Sequence, residues 1–413
     1  MKNNILKLNT KFKLRYIFYT IFIVILILGF IFTHFGGFGT GESVDTNEFS
    51  IYAKKMEDFS IPSDKNIIAL GEATHGNSEF QKLKLDILKE LVENYNVRSF
   101  ILEGDFGGCE NVNRYIQTGN GNLKDIVSSI GFEIYKTEEM MELIEYMRYY
   151  NSTHKNDIIR FYGVDMQRLE YNFKFLIEYC KKSNIPSNKV ESLFINNKLN
   201  NNYSNEERID ILKKLKERLN SPYAIQIANI LIQNFKLDSI KDLDSASAIR
   251  DKFMAENLEW VYNMEKSLGH DKIFVSAHNI HVAKWASYDS MGKIISKKFP
   301  NEYYVIGTDF YKTKCNLATK KGRTNKVFYS RNPLAKASKL LNFDISWIEF
   351  DSIKKSSNLF NSVNNFCYLG SIGDYYSVFN KLVPYSYRIF QPPAQMYDGM
   401  ILVTNATPIN NFN

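Results

Sequence analysis

Residues Asn66–Phe80, NIIALGEATHGNSEF, set the reading of this chain. The opening NIIAL is short, apolar and rich in β-branched residues, as a buried strand requires. It gives way at Gly71 to the polar run GEATHGN. From Glu79 to Asn94 a helical period follows, with Phe80, Leu83, Ile87, Leu88 and Leu91 on one face. The same alternation recurs outward. Arg98–Glu103 (RSFILE), Ile158–Gly163 (IIRFYG), Lys272–Ala277 (KIFVSA) and Tyr303–Gly307 (YYVIG) also read as strands. Strands alternating with helices imply parallel pairing through right-handed crossovers, and strands apolar along their length suit a sheet covered on both faces. The expected fold is α/β, a mostly parallel central sheet flanked by helices. Two helix-rich stretches interrupt it, Leu123 to about Tyr150 and Gln167 to Met264. The second contains Asn205–Leu219 (NEERIDILKKLKERL) and reads as a helical insertion or cap over about 167–264, its charges forming a solvated face. Near the end, Tyr397–Val403 (YDGMILV) reads as a turn into another strand.

The N-terminus has a different character. Tyr16–Phe35, YIFYTIFIVILILGFIFTHF, is apolar apart from Thr20, Thr33 and His34. About 20 such residues cross a hydrocarbon core of ~30 Å as a helix. Lys2, Lys7, Lys11, Lys13 and Arg15 precede it with no acid among them. The expectation is a cytoplasmic basic segment at 1–15, a single-pass signal anchor at 16–35 and a flexible, glycine-rich stalk at 36–45. The folded domain, 46–413, then lies outside the cell membrane. A cleaved signal peptide is the rival reading, disfavoured because such peptides have a shorter apolar core of roughly 7–15 residues.

Five of the seven net positive charges sit in that leader, leaving +2 for the remainder and no electrostatic reason to expect nucleic acid binding. A 14% aromatic share argues against a disordered chain. The four cysteines are scattered without a CxxC pair, which argues against a disulfide framework or a zinc finger.

The reactive residues gather by position. Glu72 and His75 follow the first strand, Glu103 ends the second, Asp165 follows the third, and His278 and His281 follow the fourth. In open α/β sheets ligands bind at that carboxyl edge. The chemistry such groups offer is general-base hydrolysis: His75 takes a proton from water, Glu72 orients the ring or the water, and His278 donates to a developing oxyanion. No G-x-S-x-G elbow supports a serine nucleophile. His278 and His281 with His75 and a carboxylate also admit a metal, giving a membrane-anchored metallohydrolase or peptidase. A third class is a non-enzymatic surface protein binding a small ligand or haem. Duller readings exist for several: Asp165 closes a turn, Glu79 starts a helix where an acid suits the dipole, and His281 packs behind His278.

These motifs together resemble the erythromycin esterase family. The resemblance rests on Gly71-Glu72-x-x-His75-Gly76-x-x-Glu79-Phe80, Glu103, Tyr162-Gly163-x-Asp165 and Ala277-His278-Asn279-x-His281-Val282. Arg250-Asp251-x-x-Met254-Ala255-x-Asn257 and the closing Asp398-Gly399 to Ala406-Thr407-Pro408 add to it, over roughly 60–408. It implies an α/β core with helical additions and hydrolysis of an ester or macrolide lactone without cofactor, metal or covalent intermediate. His75 is then the base, Glu72, Glu103 and His278 its catalytic partners, and Arg250, Asp165, Lys84, Glu79 and His281 substrate-binding. Where family members often carry arginine in the helix after the histidine, this chain has Lys82 and Lys84, which lack the bidentate fork. That change and the outward-facing anchor separate this chain from members acting on drug in the cytoplasm. The reaction type therefore carries over further than a role in antibiotic resistance.

Overall fold

The computed structural model describes residues 15–29, 44–377, 379–380 and 383–412. Eight strands form one sheet: Ile67–Glu72 (β1), Ser99–Asp105 (β2), Arg160–Asp165 (β3), Ile273–His278 (β4), Tyr303–Thr319 (β5), Gly322–Tyr329 (β6), Ile345–Glu349 (β7) and Gly399–Ala406 (β8). Their order is β3-β2-β4-β1-β5-β8-β7, with β6 paired to β5 off this path. From β3 to β8 every neighbouring pair is parallel. Only β7, against β8, and β6, against β5, run antiparallel. This is the mostly parallel α/β sheet the alternating pattern calls for.

Each predicted strand runs further than its apolar run. β1 continues through Gly71 and Glu72, β2 to Asp105, β3 to Asp165 and β4 to His278. Backbone pairing carries the polar residues along, so Glu72, Asp165 and His278 are the last residues of their strands.

Side chains alternate across a strand, and β1 shows the result. Ile67 and Ala69 enter one hydrophobic core, Ile68 and Leu70 the other. On the second face lie Ser78–Asn94 (α1) and Glu138–Thr153 (α3), with Phe80, Leu83, Ile87, Leu88 and Leu91 of α1 all buried. Between β2 and β3 runs Phe106–Thr118 (α2), started by Asp105, whose carboxylate accepts from the Gly108 amide at 2.7 Å. The first face is covered by Glu170–Lys182 (α4), Pro222–Asp238 (α6) and Leu243–Ser267 (α7). Asn205–Lys216 (α5), closed by a Ser204/Glu207 capping box, packs on α6.

Residues 15–29 are helical, with their apolar side chains exposed. Among the described residues no helix is long and apolar enough to cross a membrane. The rest of the expected span, 30–35, and most of the expected stalk lie outside the described residues.

Candidate active site

The carboxyl ends of β1, β2, β3 and β4 converge, and two charged clusters meet there. Glu72, the last residue of β1, is fully buried; Lys84 of α1 lies 2.9 Å from its Oε1, and Gln81 donates to its Oε2 at 3.2 Å. The Lys84 ammonium also donates to Gln81 Oε1 at 2.6 Å. Lys84 is itself fully buried, so it holds Glu72 from behind rather than facing a substrate. Burial pushes its pKa down, against the pull of Glu72 and Glu103.

His75 sits in the loop after β1 with Nδ1 turned toward Glu72 Oε1 at 3.7 Å. Two close backbone approaches fix this loop. A Cβ on Gly71 would lie 2.2 Å from Asn279 Oδ1, and one on Gly76 would lie 2.3 Å from the Asn316 carbonyl oxygen. Burial pulls the His75 pKa down, but Glu72 and more distantly Glu103 and Asp374 outweigh it and leave the imidazole above its ordinary value. The His278 ring stands 5.1 Å away, centre to centre.

His278 ends β4 and caps the short helix Asn279–Val282 (α8), its Nδ1 accepting from the Ile280 amide at 3.5 Å. That contact assigns the neutral ring's proton to Nε2, an atom buried without a hydrogen-bond partner. Burial, reinforced by His75 and His281, lowers the His278 pKa to about 3, so the ring stays neutral and its Nε2–H remains a donor.

The second cluster centres on Arg250 of α7. Its guanidinium donates to Glu103 Oε1 at 2.8 Å and, through Nε, to Asp165 Oδ2 at 3.0 Å, with a further close bond from Nη2 to Asp165. Glu103 Oε2 accepts the backbone amide of His278 at 2.9 Å, tying β2 to β4. Burial opposes ionisation of Glu103, but His281, Arg250, His75 and that amide hold its carboxyl well below the usual range. His281 Nδ1 lies 2.8 Å from Asp251, whose other contacts are the Tyr288 hydroxyl at 2.9 Å and the Met291 amide at 2.9 Å. His281 Nε2 is 3.4 Å from Glu103. A guanidinium thus occupies the centre of this ring of carboxylates, and among the described residues no His, Cys, Asp and Glu group is disposed to hold a metal.

Glu72, His75, Glu103, Asp165, Arg250, His278 and His281 are therefore brought together, with Lys84 behind them. Glu79 is not: both its carboxylate oxygens are taken by Thr407, at 2.7 Å from the amide and 2.6 Å from the hydroxyl, a clamp between α1 and the end of the chain. Asp251 joins the site through His281, and its place one residue after Arg250 is the signal the sequence carries for it.

With this geometry in view, the chain compares as follows with known proteins. The family model described as Erythromycin esterase matches residues 92–406. The chain belongs to the erythromycin esterase family. It is a hydrolase of that family, and its fold agrees. Erythromycin esterase type II of Escherichia coli is 22% identical over 299 residues, covering 61% of this chain and 70% of that protein. Among solved structures, one titled succinoglycan biosynthesis protein superposes with a TM-score of 0.75 at 20% identity, covering 90% of this chain and 100% of that one. A mutant of the erythromycin esterase EreC in its open conformation gives 0.59 at 14% identity, covering 89% and 96%. At these identities both structures speak for the fold alone. The family match begins beyond Glu72 and His75, so in this erythromycin esterase relative the reading of those two rests on the geometry above.

Proposed function

We propose that the chain hydrolyses a carboxylic ester or macrolide-type lactone, with His75 as the general base that activates water. The observation that carries this is the pairing of two imidazoles, ring centres 5.1 Å apart, at the ends of neighbouring strands. One has Nδ1 turned toward the Glu72 carboxylate at 3.7 Å, and the other has an Nε2 that is buried without a hydrogen-bond partner. With Nδ1 of His75 directed at Glu72, its Nε2 takes the proton of water as the oxygen attacks the carbonyl carbon. The charge that develops on the carbonyl oxygen is met by the His278 Nε2–H. Collapse breaks the acyl C–O bond, and the proton held on His75 passes to the leaving alkoxide. Glu103 fixes the backbone of His278 and, with Asp165, the guanidinium of Arg250.

The test is mass spectrometry of a panel of simple esters and macrolactones incubated with the protein. Gain of one water by a panel member supports the reading, and a folded protein that turns over none of them removes it. The drug-resistance role belongs to the same proposal and stands only if a macrolide is among the substrates.

A base must be neutral to act, so activity is lost as pH falls through the raised pKa of His75, above the ordinary value of 6.5. Glu72→Gln removes the main group opposing burial of the imidazolium. The acid limb of the kcat/KM profile should therefore move to lower pH, with a weaker base and a lower plateau. An unmoved limb would separate Glu72 from the base.

We also propose that the N-terminal apolar segment anchors the chain with its catalytic domain outside. The basic run before the segment and its uniformly apolar face support this. Protease added to intact cells should then digest the domain, and full protection would reverse the orientation.

A further inference from the structure

Tyr135 was not singled out by any sequence motif. It ends a single 3-10 turn, Glu133–Tyr135, between α2 and α3, and is fully buried. Its hydroxyl has no hydrogen-bond partner. A buried hydroxyl left unpaired is destabilising, a cost that phenylalanine at the same position would avoid.

Other buried groups lack partners too, among them Tyr397 Oη and Trp347 Nε1. Tyr135 differs in its company. The Lys84 ammonium lies 5.1 Å from its ring centre. Its hydroxyl feels the charges of Glu72, Glu103 and Arg250. Three further atoms of this site are buried and unpaired as well: Glu72 Oε1, counting hydrogen bonds apart from its ion pair with Lys84, His75 Nδ1 and His278 Nε2. Burial first, then the two glutamates, push the phenol well above its ordinary pKa, so it serves as a proton-bearing donor and not as a base.

We infer that Tyr135 is a further binding residue of this site, its hydroxyl donating a hydrogen bond to an oxygen held there during turnover, that of the attacking water or of the substrate carbonyl. This rests on the hydrolase reading with His75 as base.

The test is Tyr135→Phe in the full-length protein in detergent, beside wild type and His75→Ala. The readouts are thermal midpoint, p-nitrophenyl butyrate hydrolysis and inhibition by a methylphosphonate monoester. Loss of an unpaired hydroxyl should raise the midpoint by about 1–3 °C. Loss of a donor to the reacting oxygens should lower kcat about ten- to a hundredfold. A methylphosphonate monoester carries unesterified oxygens in the places of both the attacking water and the carbonyl oxygen, so loss of the donor should weaken its binding in step with kcat/KM in either case. A lower midpoint shows that the hydroxyl is paired and overturns the inference, as does a kcat within twofold of wild type. Should wild type not hydrolyse the ester, the His75 reading fails on that probe, and the midpoint alone decides: a rise supports the unpaired donor and a fall removes it.

Discussion

His75→Ala is expected to lower kcat for ester hydrolysis by about 10²–10⁴-fold while leaving the fold intact. The side chain is suited to this dissection. His75 lies in a loop at the end of β1, its Nδ1 makes no hydrogen bond within the protein, and neither apolar core includes it. Removing it takes away a base without breaking a network. It does remove one of the groups that steady Glu72, but the Lys84 ammonium at 2.9 Å remains. The thermal midpoint should therefore move little. The measurement is steady-state hydrolysis of the substrate found in the ester panel, with circular dichroism as the folding control. A variant that folds and keeps kcat within tenfold of wild type would take the base assignment away from His75.

The second large effect is on stability. Arg250→Ala should destabilise the fold by about 3–5 kcal/mol, because it strands two buried carboxylates at once. Glu103 and Asp165 both bond this guanidinium, from different strands, and without it Glu103 keeps only the His278 amide and His281 Nε2 at 3.4 Å. Arg250→Lys restores the charge but not the fork, and should fall between the two. Urea unfolding at neutral pH reads the difference. A loss below about 1 kcal/mol would mean that the two carboxylates find other partners or take up protons. The pH dependence gives a second check. Glu103 has a depressed pKa in the folded state, so its contribution is present above the ordinary carboxylate value of 4.5 and is lost as pH falls through the lower folded value. The stabilities of wild type and Arg250→Ala should therefore converge in acid.

The parallel sheet was legible because its strands are apolar on both faces, and α1 because Phe80, Leu83, Ile87, Leu88 and Leu91 repeat with a helical period. What hydrophobic patterning missed has a common cause. β5 runs to Thr319 and pairs with β6, a hairpin whose outer half is largely polar and partly exposed and so carries no continuous apolar run. β7, the antiparallel edge, is five residues long and gives little pattern to read. At the site, the order of residues along the chain revealed which groups meet, because strand ends in a parallel sheet converge. It did not reveal depth. Lys84 and Glu79 lie five residues apart on one helix, yet one is sealed behind Glu72 and the other clamps Thr407. Tyr135 stands in the short run Phe132-Glu133-Ile134-Tyr135, where nothing local separates a phenol at the site from a packing one.

The makeup of the two charged clusters bears on how a cycle ends. Glu72, Glu103, Asp165 and Asp251 are four carboxylates, against the two lasting cations Lys84 and Arg250. On the ester hydrolysis proposed above, a neutral substrate would enter this field without electrostatic cost, and its cleavage would leave an acid that ionises in place. With the proton of His75 passed to the alcohol, the new carboxylate would face a surplus of like charge among buried groups. An arrangement that prepares water in this way would also push the acid product out, favouring rapid clearance over product inhibition.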